Sequence, residues 1–150
     1  MKTLLFLLTM SMTNISFSQK ASLETVRNFW DTNVLEIIRL DTKNIIEHTN
    51  YPVDGSWGYV LELEGEPETW TNEDFNTGIP TLFNEQLRIA VRGKTYNDLV
   101  HFENEAGELE FILSLSFTTA TDEGDFESST FLYFKKFDGI WKLFKIEYAG

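Results

Sequence analysis

The sequence of 150 residues contains no cysteine. That single absence excludes disulfides, thiolate metal sites, thiol nucleophiles and the acylated cysteine of a bacterial lipoprotein. Histidine is scarce, at two residues, and proline at three. Basic residues are few, twelve against twenty-four acidic ones, giving a net charge of −12, or −13 once Lys2 is removed with a leader. A field of that sign repels nucleic acid and anionic membrane surfaces, and favours solubility or a cationic partner. There is no phosphate-binding glycine loop, no nucleophile-elbow pattern and no zinc helix motif. Beyond the leader, no apolar run has the length of a membrane span.

The first eighteen residues read as a secretory leader. Lys2 supplies the positive start, LLFLLTM the short apolar stretch, and Ser16 and Ser18 the small residues before a cut at Ser18/Gln19. Residues 19–150 then form one domain, secreted or periplasmic after cleavage.

What the sequence does have is patterned aromatic and aliphatic content. Leu23, Val26, Trp30, Val34, Ile37 and Ile38 make an apolar helical stripe, with Ser22 as its N-cap and Glu24 in its first turn. Asp41 opens a short second helix, with Leu40 and Ile45 at staple positions and His48 in its last turn. Pro52 ends helical geometry, and SWGYVLELE, from Ser56, reads as a strand. Thr71 and Asp74 form a capping box flanked by Trp70 and Phe75. A third helix is expected from Pro80 to a stop at Gly93, burying Phe83, Leu87, Ala90 and Val91.

Strands follow. In DLVHFEN, Val100 and Phe102 are expected on the core side and His101 on the wet side, opposite Glu110 or Ile112. Leu109, Phe111, Leu113, Leu115 and Phe117 alternate as a buried face. The acidic stretch TTATDEGDFESS reads as a long link, mobile or in use. A terminal hairpin turns at Asp138-Gly139. Its regular register sets Phe137 opposite Ile140, Tyr133 opposite Phe144 and Phe131 opposite Ile146, and leaves Phe134, Trp141 and Leu143 on the other face. Both faces are apolar, so each needs a cover: helices on one, and on the other a second copy of the chain or the N-terminal segment.

The element order, the connection LDTKNIIEHTNYPV and the closing DGIWKLFKIEY resemble the nuclear transport factor 2-like (cystatin-like cone) superfamily across residues 22–148, and in particular its small secreted bacterial proteins of unassigned activity. The resemblance implies an α+β fold with N-terminal helices packed in a strongly curved antiparallel sheet around a conical pocket. It also implies an outer sheet face used for dimerisation. Enzymes of that superfamily, among them isomerases, dehydratases and epoxide hydrolases, place an aspartate, histidine or tyrosine inside the cone.

By location, the ligand-binding candidates are Tyr51, Asp54, Trp57 and Tyr59, near the mouth on the first strand. Asp54-Gly55 also reads as a turn, and the aromatics as core. The acidic groups Asp122, Glu123, Asp125 and Glu127, and Glu62, Glu64, Glu66 and Glu68, lack a calcium-loop pattern. No metal or cofactor is expected. The function read from this is a non-catalytic secreted or periplasmic binding domain for a small apolar ligand or a partner protein. The alternatives are an isomerase- or lyase-type enzyme using a pocket carboxylate or tyrosine, and an acidic inhibitor or immunity-like protein for a basic partner.

Overall fold

The computed structural model describes residues 21–57, 68–122 and 124–150, with backbone alone at Ser56, Trp57 and Thr121. The leader, Tyr59, Glu123 and the acidic run from Glu62 to Glu66 lie outside the described residues.

Ser22 caps α1 (Leu23–Phe29), its Oγ accepting from Thr25 N at 3.1 Å. The helix continues through a π-helical turn (Trp30–Val34) into α2 (Leu35–Arg39). The wider turn adds a residue per revolution and broadens the buried stripe, so that Trp30, Asn33 and Val34 all face inward. Leu40 leaves the helix at φ 54°, and Asp41 then caps α3 (Thr42–Glu47) through Asn44 N.

The strands are β1 (Thr49–Trp57), β2 (Thr69–Trp70), β3 (Val100–Glu103), β4 (Leu109–Thr121), β5 (Gly124–Phe137) and β6 (Ile140–Ala149). They form one curled sheet in the order β2-β1-β6-β5-β4-β3. All neighbours are antiparallel except β1 and β6, which run parallel. Between β2 and β3 lie α4 (Asn72–Leu82), α5 (Glu85–Arg92) and a 3-10 turn (Tyr96–Asp98). The Thr71–Asp74 capping box is present, with Trp70 and Phe75 buried beside it. The architecture is therefore α+β, helices held in the concavity of a six-stranded sheet. No helix among the described residues is long and apolar enough to cross a membrane.

Several expectations need correcting. The first strand begins at Thr49, so Pro52 lies in a strand; β1 is the sheet's second strand and β2 is its short edge partner. Pro80 sits in the last turn of α4, and the next helix starts from an Asn84 cap on Leu87 N. The acidic link is strand: β4 and β5 stay paired out to Thr121 and Gly124.

The closing hairpin turns at Asp138 and Gly139 with φ 51° and 82°, the left-handed pair a two-residue turn needs. Its register then slips between Tyr133 and Phe134, so Tyr133 faces Lys145 and Phe131 faces Glu147. A bulge at this point inverts the parity of the rest of β6 and carries Ile146 into the core.

The concave core holds Phe29, Phe111, Phe134, Leu113, Leu132, Leu143 and Ile146 at 2 % exposure or less. Phe29 stacks on Phe111 at 4.6 Å and meets Phe134 edge-on at 5.0 Å. The deep cone is filled with side chains.

Candidate functional site

Two features of the concave side have chemical potential, and they differ in the space they offer. The first is an acid–base pair. The turn at Leu40 folds α3 back on α2, so His48, the C-cap of α3, meets Glu36 from α2. His48 Nδ1 stands 2.9 Å from both carboxylate oxygens. Burial raises the Glu36 carboxyl above its ordinary range, opposed by the hydrogen bond from His48. His48 carbonyl also accepts from Leu143 N at 2.8 Å, tying the helical end to β6. Nearby, Asn33 projects from the π turn, 4 % exposed, and donates to Trp141 O at 3.0 Å. The crevice against this pair has a volume of about 10 Å³, walled by Ile37, Ile45, Phe134 and Leu143. That is room for about one water.

The second is an open cleft of about 570 Å³ between the start of α1, the β3–β4 turn and the β5–β6 hairpin. Trp141 and Leu109 form its apolar floor. Trp141 is held there by Phe29 at 5.5 Å and Phe111 at 4.6 Å, and Lys136 Nζ lies 5.3 Å from its ring centre. Ala21, Ser22 and Thr25 from the start of α1 make one wall; Glu103, Gly107 and Glu108 make the other.

The second wall is rigid for a local reason. Asn104 Oδ1 accepts from Ala106 N and Glu108 N at 3.0 and 2.9 Å, and its Nδ2 donates to Glu108 and Glu110. Gly107 takes φ 77° to close that turn. The hydrogen bond from Asn104, aided by Lys135, holds the Glu108 carboxyl below its ordinary range. The lining thus combines the Glu108 carboxylate, held by Asn104 and Lys135, with Lys136 over the Trp141 ring.

Of the residues expected at the mouth, Tyr51 is half-buried; its hydroxyl donates to Asn76 Oδ1 at 3.1 Å and its ring meets Phe75 edge-on at 5.7 Å. Burial raises its phenol pKa. Asp54 is half-buried in β1, opposite Thr69 on one side and Lys145 on the other. Trp57 ends β1 opposite Glu147, and Tyr59 lies outside the described residues. Tyr51 and Asp54 share a strand but do not line the open cleft.

The assignment of faces around His101 is reversed. Val100 and Phe102 are 54 % and 39 % exposed, while His101 pairs with Phe111 and turns its ring toward it at 6.1 Å. The cause is Leu99, which supplies the buried side chain at 6 % exposure and fixes the parity of the strand. Asn33, Glu36, Asn104 and Trp141 carry the local geometry without having been singled out as site residues. Only Trp141 had a sequence signal, as one of the aromatics on the second face of the hairpin.

No family model matches the sequence, and no curated protein matches it. Two solved structures are similar in chain path. One is a variant named Rd1NTF2_05 with five substitutions, 14% identical, covering 84% of this chain and 97% of its own, with a TM-score of 0.43. The other is a putative calcium/calmodulin dependent protein kinase II association domain from Xanthomonas campestris, 10% identical, covering 87% and 89%, with a TM-score of 0.49.

Proposed function

We propose that this chain, exported after cleavage near Ser18/Gln19, is a non-catalytic binding domain of the small secreted type, holding a small amphipathic ligand in the open cleft. The observation that carries this reading is the contrast in space. The acid–base pair Glu36–His48 opens on room for one water, whereas Trp141 floors about 570 Å³, within the ~300–1,000 Å³ range of small-molecule sites. An apolar ring would lie on Trp141 and Leu109, and its polar end would meet the rim. With a net charge of −12, or −13 once Lys2 is removed with the leader, the chain favours a neutral or cationic ligand. Tyr51 and Asp54 on β1 are a second place for ligand contact in this reading.

A naphthylamine probe and its naphthalene-sulfonate counterpart test it by calorimetric titration. The amine is expected to bind, the sulfonate to bind more weakly, and Trp141→Ala to lose roughly tenfold or more in affinity, as for a buried aromatic anchor. No binding of either probe, or undiminished binding by Trp141→Ala, would refute the cleft as the site.

The convex face supports a second, compatible reading, self-association. Tyr133, Phe137 and Phe144 cluster there, each aromatic pair with Phe144 at 6.3 Å. Lys135 lies over Phe137 and Phe144 and reaches Glu108 at 3.4 Å; Lys145 lies over Tyr133 and reaches Glu147 at 2.5 Å. Tyr133 donates to Glu147, and burial followed by that carboxylate pushes its phenol up to about 12. Opposite charges sit together on this face, so two copies can approach here without the repulsion their net charge imposes elsewhere. Sedimentation should show a dimer that Phe144→Glu converts to monomer; a parent protein that is monomeric at high concentration removes this reading.

A further inference from the structure

The far end of the β4–β5 hairpin stands beyond its neighbours. β3 pairs with β4 only as far as Ile112, and β6 pairs with β5 only as far as Ser129. β4 and β5 nevertheless remain paired with each other for the residues beyond, from Phe117 opposite Ser128 to Thr121 opposite Gly124. What projects is a two-stranded arm. Such ribbons are marginal in water on their own.

Its outer strand lacks the usual protection of a sheet edge. From Phe111 to Thr121 there is no charged residue and no proline, and β4 shows no register slip against β5. Among the described residues, no strand pairs with β4 beyond Ile112 on that side. Ser116, Thr118, Thr119 and Ala120 are exposed. Nine residues, Leu113–Thr121, thus run past the end of β3, and Phe117, Thr118, Thr119 and Thr121 among them are β-favouring.

The two faces of the arm differ. Strand parity puts Phe117, Thr119 and Phe126 on the concave side, where Phe126 is 53 % exposed. Asp125 and Glu127 fall on the convex side with Thr118 and Ala120. The next residue past β4, Asp122, adds a further negative charge at the tip.

We propose that the β4 edge of this arm is a docking site for an extended, basic segment of a partner protein. The segment would add as a further strand beside Ser116–Thr121. Its apolar residues would lie beside Phe117, and its alternate lysines or arginines would lie on the acidic side. Charge complementarity selects this occupant: in a chain of net charge −12, an arm bearing Asp122, Asp125 and Glu127 disfavours a second copy and admits a basic strand. This site is separate from the Trp141 cleft.

The probe is a peptide of about twelve residues alternating lysine and valine, with a glutamate–valine peptide as its control, titrated into the full chain. Expected is saturable binding of the lysine peptide only, with amide-exchange protection rising at least tenfold across Ser116–Thr121. Asp125→Asn/Glu127→Gln should weaken binding at least tenfold, and Phe117→Ser should weaken it with the fold intact by circular dichroism. Binding without new protection at Ser116–Thr121 would show a charge contact only and overturn the proposal. So would equal binding of both peptides, absence of binding, or protection of that edge by self-association in the absence of peptide.

Discussion

Phe29→Ala is expected to destabilise the protein by about 4 kcal/mol, the typical cost of emptying a fully enclosed phenylalanine site. Phe29 is 1 % exposed and touches three aromatic rings: Phe111 face to face, Phe134 and Trp141 edge to face. Those rings come from β4, β5 and β6, so one side chain from α1 fixes the helix to three consecutive strands. The neighbours are pinned by the sheet ladder and cannot close on the hole, which is why the cavity contribution adds to the transfer term. Domains of this kind are stable by only ~5–15 kcal/mol, so the variant should lose between about a quarter and most of its stability. Urea unfolding is the measurement: the midpoint should fall sharply with the slope unchanged. A loss below about 1 kcal/mol would mean that the cone collapses around the gap and that Phe29 is not its keystone.

Gly55→Ala is expected to be the next most damaging small change, at about 2–3 kcal/mol, through overpacking. A Cβ on Gly55 would stand 2.6 Å from Cε2 and Cζ2 of Trp70, closer than carbon atoms tolerate. Trp70 has little freedom to retreat. It is 2 % exposed, flanks the capping box of α4, and its strand pairs Val53 with it across β1–β2. Gly55 N meanwhile donates to Glu68 O at 2.9 Å, so the backbone cannot withdraw without losing that bond. The clash predicts coupling. Trp70→Phe, which withdraws the outer ring, should reduce the cost of Gly55→Ala, giving a non-additive double-mutant cycle. Strict additivity would show that the two positions do not press on each other.

Local chemistry made much of this fold legible. Ser22, Asp41 and the Thr71–Asp74 pair each end a backbone segment by a hydrogen bond within three residues, and each cap is present. Asp138-Gly139 needs only two left-handed residues in a row, and the alternation of β4 needs only one dry face. The misreadings share a cause: a decision taken elsewhere in the chain. Alternation alone would bury Val100 and Phe102, but Leu99 claims the core first. The regular hairpin register would pair Tyr133 with Phe144, but one extra residue in β6 lets Leu143 and Ile146 both face inward. The open cleft was the least legible feature. Its walls come from the start of α1, the β3–β4 turn and the final hairpin, and no spacing in the sequence joins Ser22 to Glu108 or Trp141. The Glu36–His48 contact likewise depends on the left-handed turn at Leu40, not on helical periodicity.

The position of β6 has an outcome in time. It is the last strand in the chain, yet it lies third in the sheet, between β1 and β5. Without it, among the described residues, the β2–β1 pair has no strand joining it to the other three. The early helices therefore wait for residues about a hundred positions downstream before their shelter exists, a high-contact-order arrangement that folds late.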